Sequence, residues 1–287
     1  MNSSKGVTIE IEGDESSVFV ERLTSEAPPL SQIMSIDVTP LPFHGYKDFR
    51  IVESEDEGSF TLISPDVSVC KECFKELLDE NDRRYLYPFI NCTNCGPRYT
   101  ITKSVPYDRP NTTMSVFKMC AECNEEYHNP EDRRFHAQPN ACQVCGPHVK
   151  LKVKSKKLKV NVKENPIKET IRLLKEGYIV AIKGLGGFHL ACDASNEVAV
   201  NMLRLRKRKS NKPFALMAPD VKTVRKFCNV SSEEENLLVS IKRPIVLLTK
   251  KGSLLPEEVS PKNPCIGFML PYTPLHYLLF YYPLTEN

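Results

Sequence analysis

The 287-residue sequence lacks any long apolar run. A membrane-spanning helix needs about 18 consecutive apolar residues, and no segment approaches that length. The first thirty residues also lack the apolar segment of a signal peptide, because charged residues between Lys5 and Glu15 interrupt them. These absences exclude an integral membrane protein and predict a cytoplasmic chain without a membrane partner.

The sequence also lacks a strong charge of either sign. Its 39 basic and 36 acidic residues leave a formal charge of +3, which counts every cysteine thiol as neutral, so ionised thiols would lower it. The charge therefore gives no argument for nucleic-acid binding. With 41% hydrophobic and 26% charged residues the composition is that of a globular protein. A chain of this length has room for two or three domains of about 100 to 200 residues.

Cysteine is abundant, and its spacing is repeated. Eight of the eleven cysteines form four C-x2-C pairs, a pattern that favours metal chelation in a reducing compartment over a disulfide framework. The frame C-x2-C-x18-C-x2-C occurs twice, fifty residues apart: Cys70, Cys73, Cys92 and Cys95, then Cys120, Cys123, Cys142 and Cys145. Asp82-Arg83-Arg84 also recurs as Asp132-Arg133-Arg134, and a glycine follows the last cysteine of each frame, where it frees the backbone to turn. The sequence thus predicts a duplicated metal-binding unit.

Four thiolates are the ligand set that structural zinc prefers, and they leave no coordination position open for water or substrate. We therefore expect two structural Zn²⁺ ions, with redox dithiols and an iron-sulfur cluster as alternatives. Because each repeat is complete in itself, we expect sequential pairing, although spacing leaves crossed pairing open. The remaining cysteines, Cys192, Cys228 and Cys265, lie in apolar contexts and are interpreted as small buried hydrophobic residues.

The regions on either side of the cysteine repeat differ in pattern. Residues 7–53 have a β-α-β-β rhythm, in which "VTIEIEG", "IMSIDVTP" and "KDFRIVES" alternate like strands. Residues 149–163 alternate lysine with valine and leucine, which fits either a solvated linker or a strip that binds a polyanion. From residue 166 onward, helices alternate with short apolar strands and predict a mixed sheet covered by helices. No charge-free linker separates the regions, so we expect them to pack together.

Two basic segments of the third region leave their chemistry open. "AIKGLGGFHLACDA" places Lys183 and three glycines at the end of a strand, which suits either a tight bend or a phosphate cradle, but it is not a Walker A loop. "LRLRKRKSNKPFALM" crowds Arg206, Lys207, Lys209 and Lys212 before a strand. These cations fit either a solvated helix end or a clamp for nucleotide phosphates.

Together with the doubled cysteine frame, the motifs "NCGPRYTI", "PYDRPNTTM", "RRFHAQPNAC", "AIKGLGGFHLACDA" and "MLPYTPLH" closely resemble the HypF carbamoyltransferases, which are hydrogenase maturation factors. The resemblance implies an α+β multidomain chain with three parts. These are a partial acylphosphatase-like, ferredoxin-like domain (1–55), two tandem four-cysteine zinc fingers (66–150) and an incomplete YrdC-like domain (164–287).

The same resemblance implies an activity. Carbamoyl phosphate is hydrolysed, ATP with Mg²⁺ activates carbamate as carbamoyl adenylate, and the carbamoyl group passes to the C-terminal cysteine of the partner HypE for synthesis of a cyanide ligand. Asn2 matches the water-orienting asparagine of the acylphosphatase-like site, but the arginine loop of that site is missing. We therefore expect this chain to bind zinc without completing the reaction.

Further site residues follow from the YrdC-like part of the resemblance. Lys207 and Lys209 match a Lys-x-Arg clamp for ATP phosphates, with Arg206 and Lys212 beside them. Lys209 stands where the clamp has an arginine, and a lysine cannot form the two parallel hydrogen bonds that an arginine makes to a phosphate. Lys183, His189 and His276 are expected to line the nucleotide pocket.

Two alternatives remain. One is a YrdC-type module that binds double-stranded RNA. The other is a threonylcarbamoyl-adenylate synthase, against which the turn from Lys183 to Gly186 counts, because it lacks both hydroxyls of the P-T-x-T motif that binds threonine.

Overall fold

A computed structural model of the chain describes most of the three regions. The described residues are 2–3, 6–27, 30–31, 33–50, 52, 63–153, 160, 164–207, 212–252 and 254–284. Within these ranges, no helix has both the length and the apolar character needed to cross a membrane.

The N-terminal region contains two short strands and one helix. Strand β1 (Asn2–Ser3) pairs antiparallel with β2 (Gly6–Val7), and helix α1 spans Ser16–Ser25. The strand predicted at 33–40 was wrong, and the one predicted at 7–13 is limited to Gly6–Val7. The strand predicted at 47–54 lies partly outside the described residues, and its described residues, 47–50 and 52, form no strand. A strand needs a hydrogen-bonded neighbour and a surface to cover its apolar face, and here residues on both alternating faces stay exposed.

The cysteine repeat folds into two similar units. Helix α2 (Lys71–Leu78) begins directly after Cys70, and helix α3 (Ala121–His128) begins directly after Cys120. Three 3₁₀ turns lie between them, at Tyr99–Ile101, Arg109–Asn111 and Thr113–Val116. The first cysteine of each frame is thus the residue from which a helix starts.

The third region alternates helices and strands. Its elements in chain order are α4 (Pro166–Lys175), β3 (Val180–Lys183), β4 (Phe188–Ala191), α5 (Glu197–Lys207), β5 (Ala215–Met217), α6 (Val221–Phe227), α7 (Ser232–Val239), β6 (Val246–Thr249), a 3₁₀ turn (Glu257–Val259), β7 (Cys265–Met269) and α8 (Pro274–Tyr281). Capping side chains set several of these boundaries. Asn165 accepts hydrogen bonds from the backbone amides at the start of α4, and Ser231 forms a capping box with Glu234 at the start of α7.

The strands of the third region form a mixed three-stranded sheet and a separate hairpin. In the sheet, β7 lies between β5, to which it is parallel, and β6, to which it is antiparallel. The hairpin joins β3 to β4 across the glycine-rich turn, with Lys183 opposite Phe188. The predicted mixed sheet is confirmed. Strands β4 and β7 were not predicted from the sequence.

Among the residues that the structure describes, two hydrophobic cores can be distinguished. One lies between the sheet and helices α6 and α7. The other combines the first cysteine unit with α4 and α8, and in it the ring of Phe74 lies 4.6 Å from that of Tyr277. The backbone amide of Val69 also donates to the carbonyl of Tyr272 at 3.3 Å. The fingers and the third region therefore pack together, as the absence of a linker predicts.

Candidate metal centres and nucleotide site

The eight paired cysteines gather into two groups. Each group holds the four cysteines of one repeat, and within it the sulfur atoms all lie within 4.8 Å of one another. The first group is Cys70, Cys73, Cys92 and Cys95, and the second is Cys120, Cys123, Cys142 and Cys145. The grouping is sequential rather than crossed, as expected from the completeness of each repeat.

The spacing of the sulfur atoms fits zinc. The sulfur of Cys92 lies 3.7 Å from those of Cys70 and Cys95. In the second group, the sulfur of Cys142 lies 3.8 Å from those of Cys120 and Cys145. A tetrahedron with Zn–S bonds of about 2.3 Å has edges of about 3.8 Å, whereas a disulfide would bring two sulfurs to about 2.05 Å. The donor set therefore matches a tetrahedral four-thiolate ion and leaves no ligand position for a substrate.

Backbone amides support the thiol groups. The amides of Cys73 and Asn94 donate to the sulfurs of Cys70 and Cys92 at 3.4 and 3.3 Å, and the amide of Val144 donates to Cys142 at 3.4 Å. Hydrogen bonds of this kind favour the charged form of an acid. Three of the four C-x2-C turns thus direct a backbone N–H group at a cysteine sulfur, whereas Cys120 accepts no such bond at the start of α3.

The two glycines that close the frames serve different purposes. Gly96 has a positive φ of 94°, so it makes the unusual turn that the sequence predicts. Gly146 has no positive φ, and the prediction was wrong there. A Cβ at Gly146 would lie 2.0 Å from the hydroxyl of Tyr87, so this position requires glycine for lack of space.

Two buried arginines lie between the last cysteine of the first frame and the first cysteine of the second, and sequence reasoning missed both. Arg98 donates to the carbonyls of Cys95 and Thr93 at 3.0 and 2.6 Å. Arg109 donates to those of Gln138 and Asn140 at 2.7 and 2.9 Å. The backbone carbonyls that accept these hydrogen bonds belong to the cysteine units and are not paired within a helix or a sheet. Each guanidinium therefore supplies the hydrogen bonds that secondary structure does not. Their positions in "NCGPRYTI" and "PYDRPNTTM" were the only available signal.

The glycine-rich turn of the third region joins β3 to β4. Lys183 ends β3, and its ammonium nitrogen lies 5.2 Å from the centre of the Phe188 ring. Gly186 has a positive φ of 72°. At Gly184 a Cβ would lie 2.7 Å from the ring of His189, so the backbone passes close beside that imidazole.

His189 and His276 meet at this turn, together with Tyr272. The hydroxyl of Tyr272 lies 3.3 Å from Nε2 of His189, and its ring centre lies 4.5 Å from that of His276. His276 is buried, and its Nδ1 has no hydrogen-bond partner. Burial, with a smaller repulsion from His189, lowers the pKa of His276 to about 4, so this imidazole is neutral at pH 7. Sequence reasoning did not single out Tyr272, although it lies in the motif "MLPYTPLH".

The basic segment lies at the end of α5. Arg206 and Lys207 are exposed there, and the ammonium nitrogen of Lys207 lies 5.6 Å from the ring centre of Phe214. Lys212 is also exposed, whereas Lys209 and the side chain of Asn2 lie outside the described residues. In the described ranges, no hydrogen bond, ion pair or ring contact joins Arg206, Lys207 or Lys212 to Lys183, His189 or His276. The nucleotide site and the role of Asn2 therefore remain predictions.

Comparisons with known proteins match the same regions. A family model described as "HypF finger" matches residues 69–102 and 119–151. A second model, for the Sua5, YciO and YrdC proteins and described as "Telomere recombination", matches residues 172–285. The first match covers both cysteine groups, and the second covers the sheet, the hairpin and α8.

Relatives match nearly the whole chain. A carbamoyltransferase HypF of Synechocystis sp. is 50% identical over 281 residues, a match that covers 97% of this chain and 36% of the relative. A crystal structure of full-length HypF in a phosphate- and nucleotide-bound form has a TM-score of 0.88, with 50% identity over 97% of this chain and 36% of that one. The HypF structure from T. kodakarensis has a TM-score of 0.82, at 44% identity over 96% of this chain and 35% of that one. The chain thus spans about a third of the length of its matched relatives, and over that span it belongs to the HypF carbamoyltransferase family.

Proposed function

We propose that this chain supplies the finger and carbamate-activating part of an ATP-dependent carbamoyltransferase. In this reaction, hydrolysis of carbamoyl phosphate yields carbamate and phosphate, and ATP with Mg²⁺ converts carbamate to carbamoyl adenylate with release of pyrophosphate. The thiol of the C-terminal cysteine of HypE then displaces AMP and receives the carbamoyl group in hydrogenase maturation. The match to a HypF structure with bound phosphate and nucleotide, along 97% of this chain, carries the proposal. We place the reaction in the cytoplasm, where eight thiols stay reduced and available to a metal.

The two cysteine groups are proposed to bind structural Zn²⁺. All four donors of each group are cysteine sulfurs, so a bound ion has no position free for chemistry. Metal binding is worth about 10 to 16 kcal/mol in isolated finger peptides, and in such small units much of it appears as folding free energy. The fingers thereby hold α4 and α8, which share their core, in place for the nucleotide site.

The third region is proposed to bind ATP. Lys207 and Lys209, with Arg206 and Lys212, supply cations for the phosphates. Lys183 and the glycine-rich turn offer a cation and an accessible backbone on the hairpin. His189 and the neutral His276 line the pocket beside Tyr272, whose hydroxyl can donate a hydrogen bond to an oxygen of carbamate or phosphate. These roles follow from the family resemblance and from the grouping of the hairpin residues.

Isothermal titration with ATP and Mg²⁺ tests the nucleotide site. Lys207→Ala combined with Lys209→Ala removes two phosphate contacts, so we expect binding to weaken by at least about 100-fold, since charge-assisted hydrogen bonds contribute about 1.5 to 3 kcal/mol each. Lys222→Ala, an exposed lysine on α6, is the matched control and should bind like the unmodified chain. Unchanged binding by the double variant would refute the clamp.

The two competing functions predict different results in the same samples. A threonylcarbamoyl-adenylate synthase would release pyrophosphate in a threonine-dependent reaction, which the Lys183–Gly186 turn does not favour because it has no hydroxyl. An RNA-binding module would retain double-stranded RNA with a steep dependence on salt. Either observation would replace the carbamoyltransferase proposal. A zinc content near zero by mass spectrometry, in place of two ions per chain, would refute the metal assignment.

A further inference from the structure

The repeated Asp-Arg-Arg motif reaches across the pseudo-symmetric pair of cysteine units. A guanidinium nitrogen of Arg83, in the first repeat, lies 3.4 Å from the sulfurs of both Cys120 and Cys123, in the second. Arg133, in the second repeat, lies 3.0 Å from the sulfur of Cys73 and 3.8 Å from that of Cys70, in the first. The equivalent arginines are therefore exchanged between the two sites.

The second arginine of each motif is buried and crosses in the same direction. Arg84 lies 3.5 Å from the sulfur of Cys123 and donates to the carbonyl of Ala141 at 3.0 Å. Arg134 donates to the carbonyl of Asn91, beside Cys92, at 3.1 Å. Arg84 is 1% exposed and Arg134 is 5% exposed, so both guanidinium groups are enclosed by the opposite unit.

A glutamate on each finger helix receives the crossing arginines. Glu76, on α2, accepts hydrogen bonds from Arg133 at 3.0 and 2.9 Å and also pairs with Arg134. Glu126, on α3, accepts from Arg83 at 2.8 Å and from Arg84 at 2.9 Å. Each glutamate lies three residues beyond the second cysteine of its own frame, so it fixes the incoming guanidinium groups beside that site.

The crossing arginines place positive charge beside metal centres that are negatively charged when zinc is bound. Four thiolates around Zn²⁺ leave two negative charges in a largely buried place, and a buried charge is costly unless it is paired and hydrogen-bonded. Partners beyond the ligands commonly change metal affinity by about 10- to 100-fold. We propose that the arginines of each repeat are the outer-shell positioning residues of the other repeat's metal site. The two sites then form one unit that neither repeat can complete alone.

Cysteine alkylation followed by peptide mapping tests this proposal, which rests on the zinc binding proposed above. Full-length chain loaded with Zn²⁺ is treated with N-ethylmaleimide and a zinc-binding dye, and the modification rate of each cysteine peptide is measured. In Arg133→Gln we expect the peptide with Cys70 and Cys73 to react about 10-fold faster, and in Arg83→Gln the peptide with Cys120 and Cys123. Arg225→Gln removes a surface ion pair with Glu235 and should change neither rate.

The outcomes separate this inference from the metal assignment. Faster modification of the variant's own repeat, or unchanged rates in both variants, overturns the exchange while leaving zinc binding intact. A chain that holds no zinc before substitution overturns both. If a glutamine variant does not fold, Arg133→Lys keeps the charge but loses the fork, and it should still release zinc from the first repeat faster than the unmodified chain. Equal release from Arg133→Lys and the unmodified chain also counts against the exchange.

Discussion

The buried imidazole of His276 makes the stability of the chain depend on pH. Its pKa is lowered to about 4 by burial and by His189, whereas an unfolded histidine has a pKa of about 6.5. As pH falls, the unfolded chain therefore takes up a proton on this histidine before the folded chain does. The free energy of unfolding should fall by up to about 3 kcal/mol between about pH 6.5 and about pH 4. Denaturant unfolding at several pH values should show a shallower loss in His276→Gln. His44→Gln, at an exposed histidine of the N-terminal region, is the control, and an equal slope in His276→Gln and the unmodified chain would contradict the assignment.

Gly146 is constrained by its neighbours. A Cβ there would meet the Tyr87 hydroxyl at 2.0 Å and the Cβ of Ala141 at 2.6 Å. We expect Gly146→Ala to lower the free energy of unfolding by about 1 to 3 kcal/mol, the usual cost of overpacking. Gly187→Ala is the matched control, because a Cβ at Gly187 would have no atom within 4 Å. Equal free energies of unfolding for the two variants in guanidinium titration would show that Tyr87 and Ala141 move aside without cost, which would contradict the prediction.

The sequence predicted the cysteine groups but not the groups around them. Cys70 and Cys73 are brought together by a local turn, and the exact repetition of the frame made sequential grouping the simplest arrangement. The contact between Arg133 and Cys73 spans sixty residues and depends on how two units dock. Sequence periodicity carries no information on such docking, so the arginine repeat was visible while its target was not.

At the level of elements, α2 joins the fingers to the third region. Phe74 on α2 packs against Tyr277 and Tyr281 on α8, with ring centres 4.6 and 5.6 Å apart. We expect Phe74→Ala to lower the free energy of unfolding by about 3 kcal/mol, the low end for phenylalanine truncation, because Phe74 is only partly buried. Phe280→Ala, at a residue of α8 that is 42% exposed, should cost less. Equal losses in thermal and denaturant unfolding would mean that α2 does not rest on α8.

Helices were easier to predict than strands. The helices of the third region have capping residues and apolar periodicity, both of which are local signals. Strand β7 contains Gly267 and follows Pro264, so its sequence lacks a typical strand pattern, and its neighbours β5 and β6 determine it. Conversely, the residues within 33–50 alternate as in a strand, but no other segment among the described residues pairs with them. Strand formation depends on partners that a single segment does not encode.

At the scale of the whole molecule, metal loss should spread beyond the fingers. The core that contains Cys73 and Cys92 also contains Ile171 of α4 and Leu278 of α8. We expect a zinc chelator to accelerate hydrogen exchange in α4 and α8 but to leave β5, β6 and β7 protected, because that sheet has its own core. Apo-protein restored with Zn²⁺ is the control. Unchanged protection of α4 and α8 in zinc-free protein would show that the shared core stands without the metal.

The crossed arginines also bear on how the chain came to carry two repeats. In a single repeat, the arginines would not reach the cysteines of the same repeat. Its metal site would receive guanidinium groups only from a second copy of the repeat. Such a unit is self-complementary, in the manner of a two-fold symmetric dimer. We therefore expect either repeat, expressed alone, to pair with a second copy of itself. The two fingers have the arrangement of a homodimer whose subunits are joined in one chain.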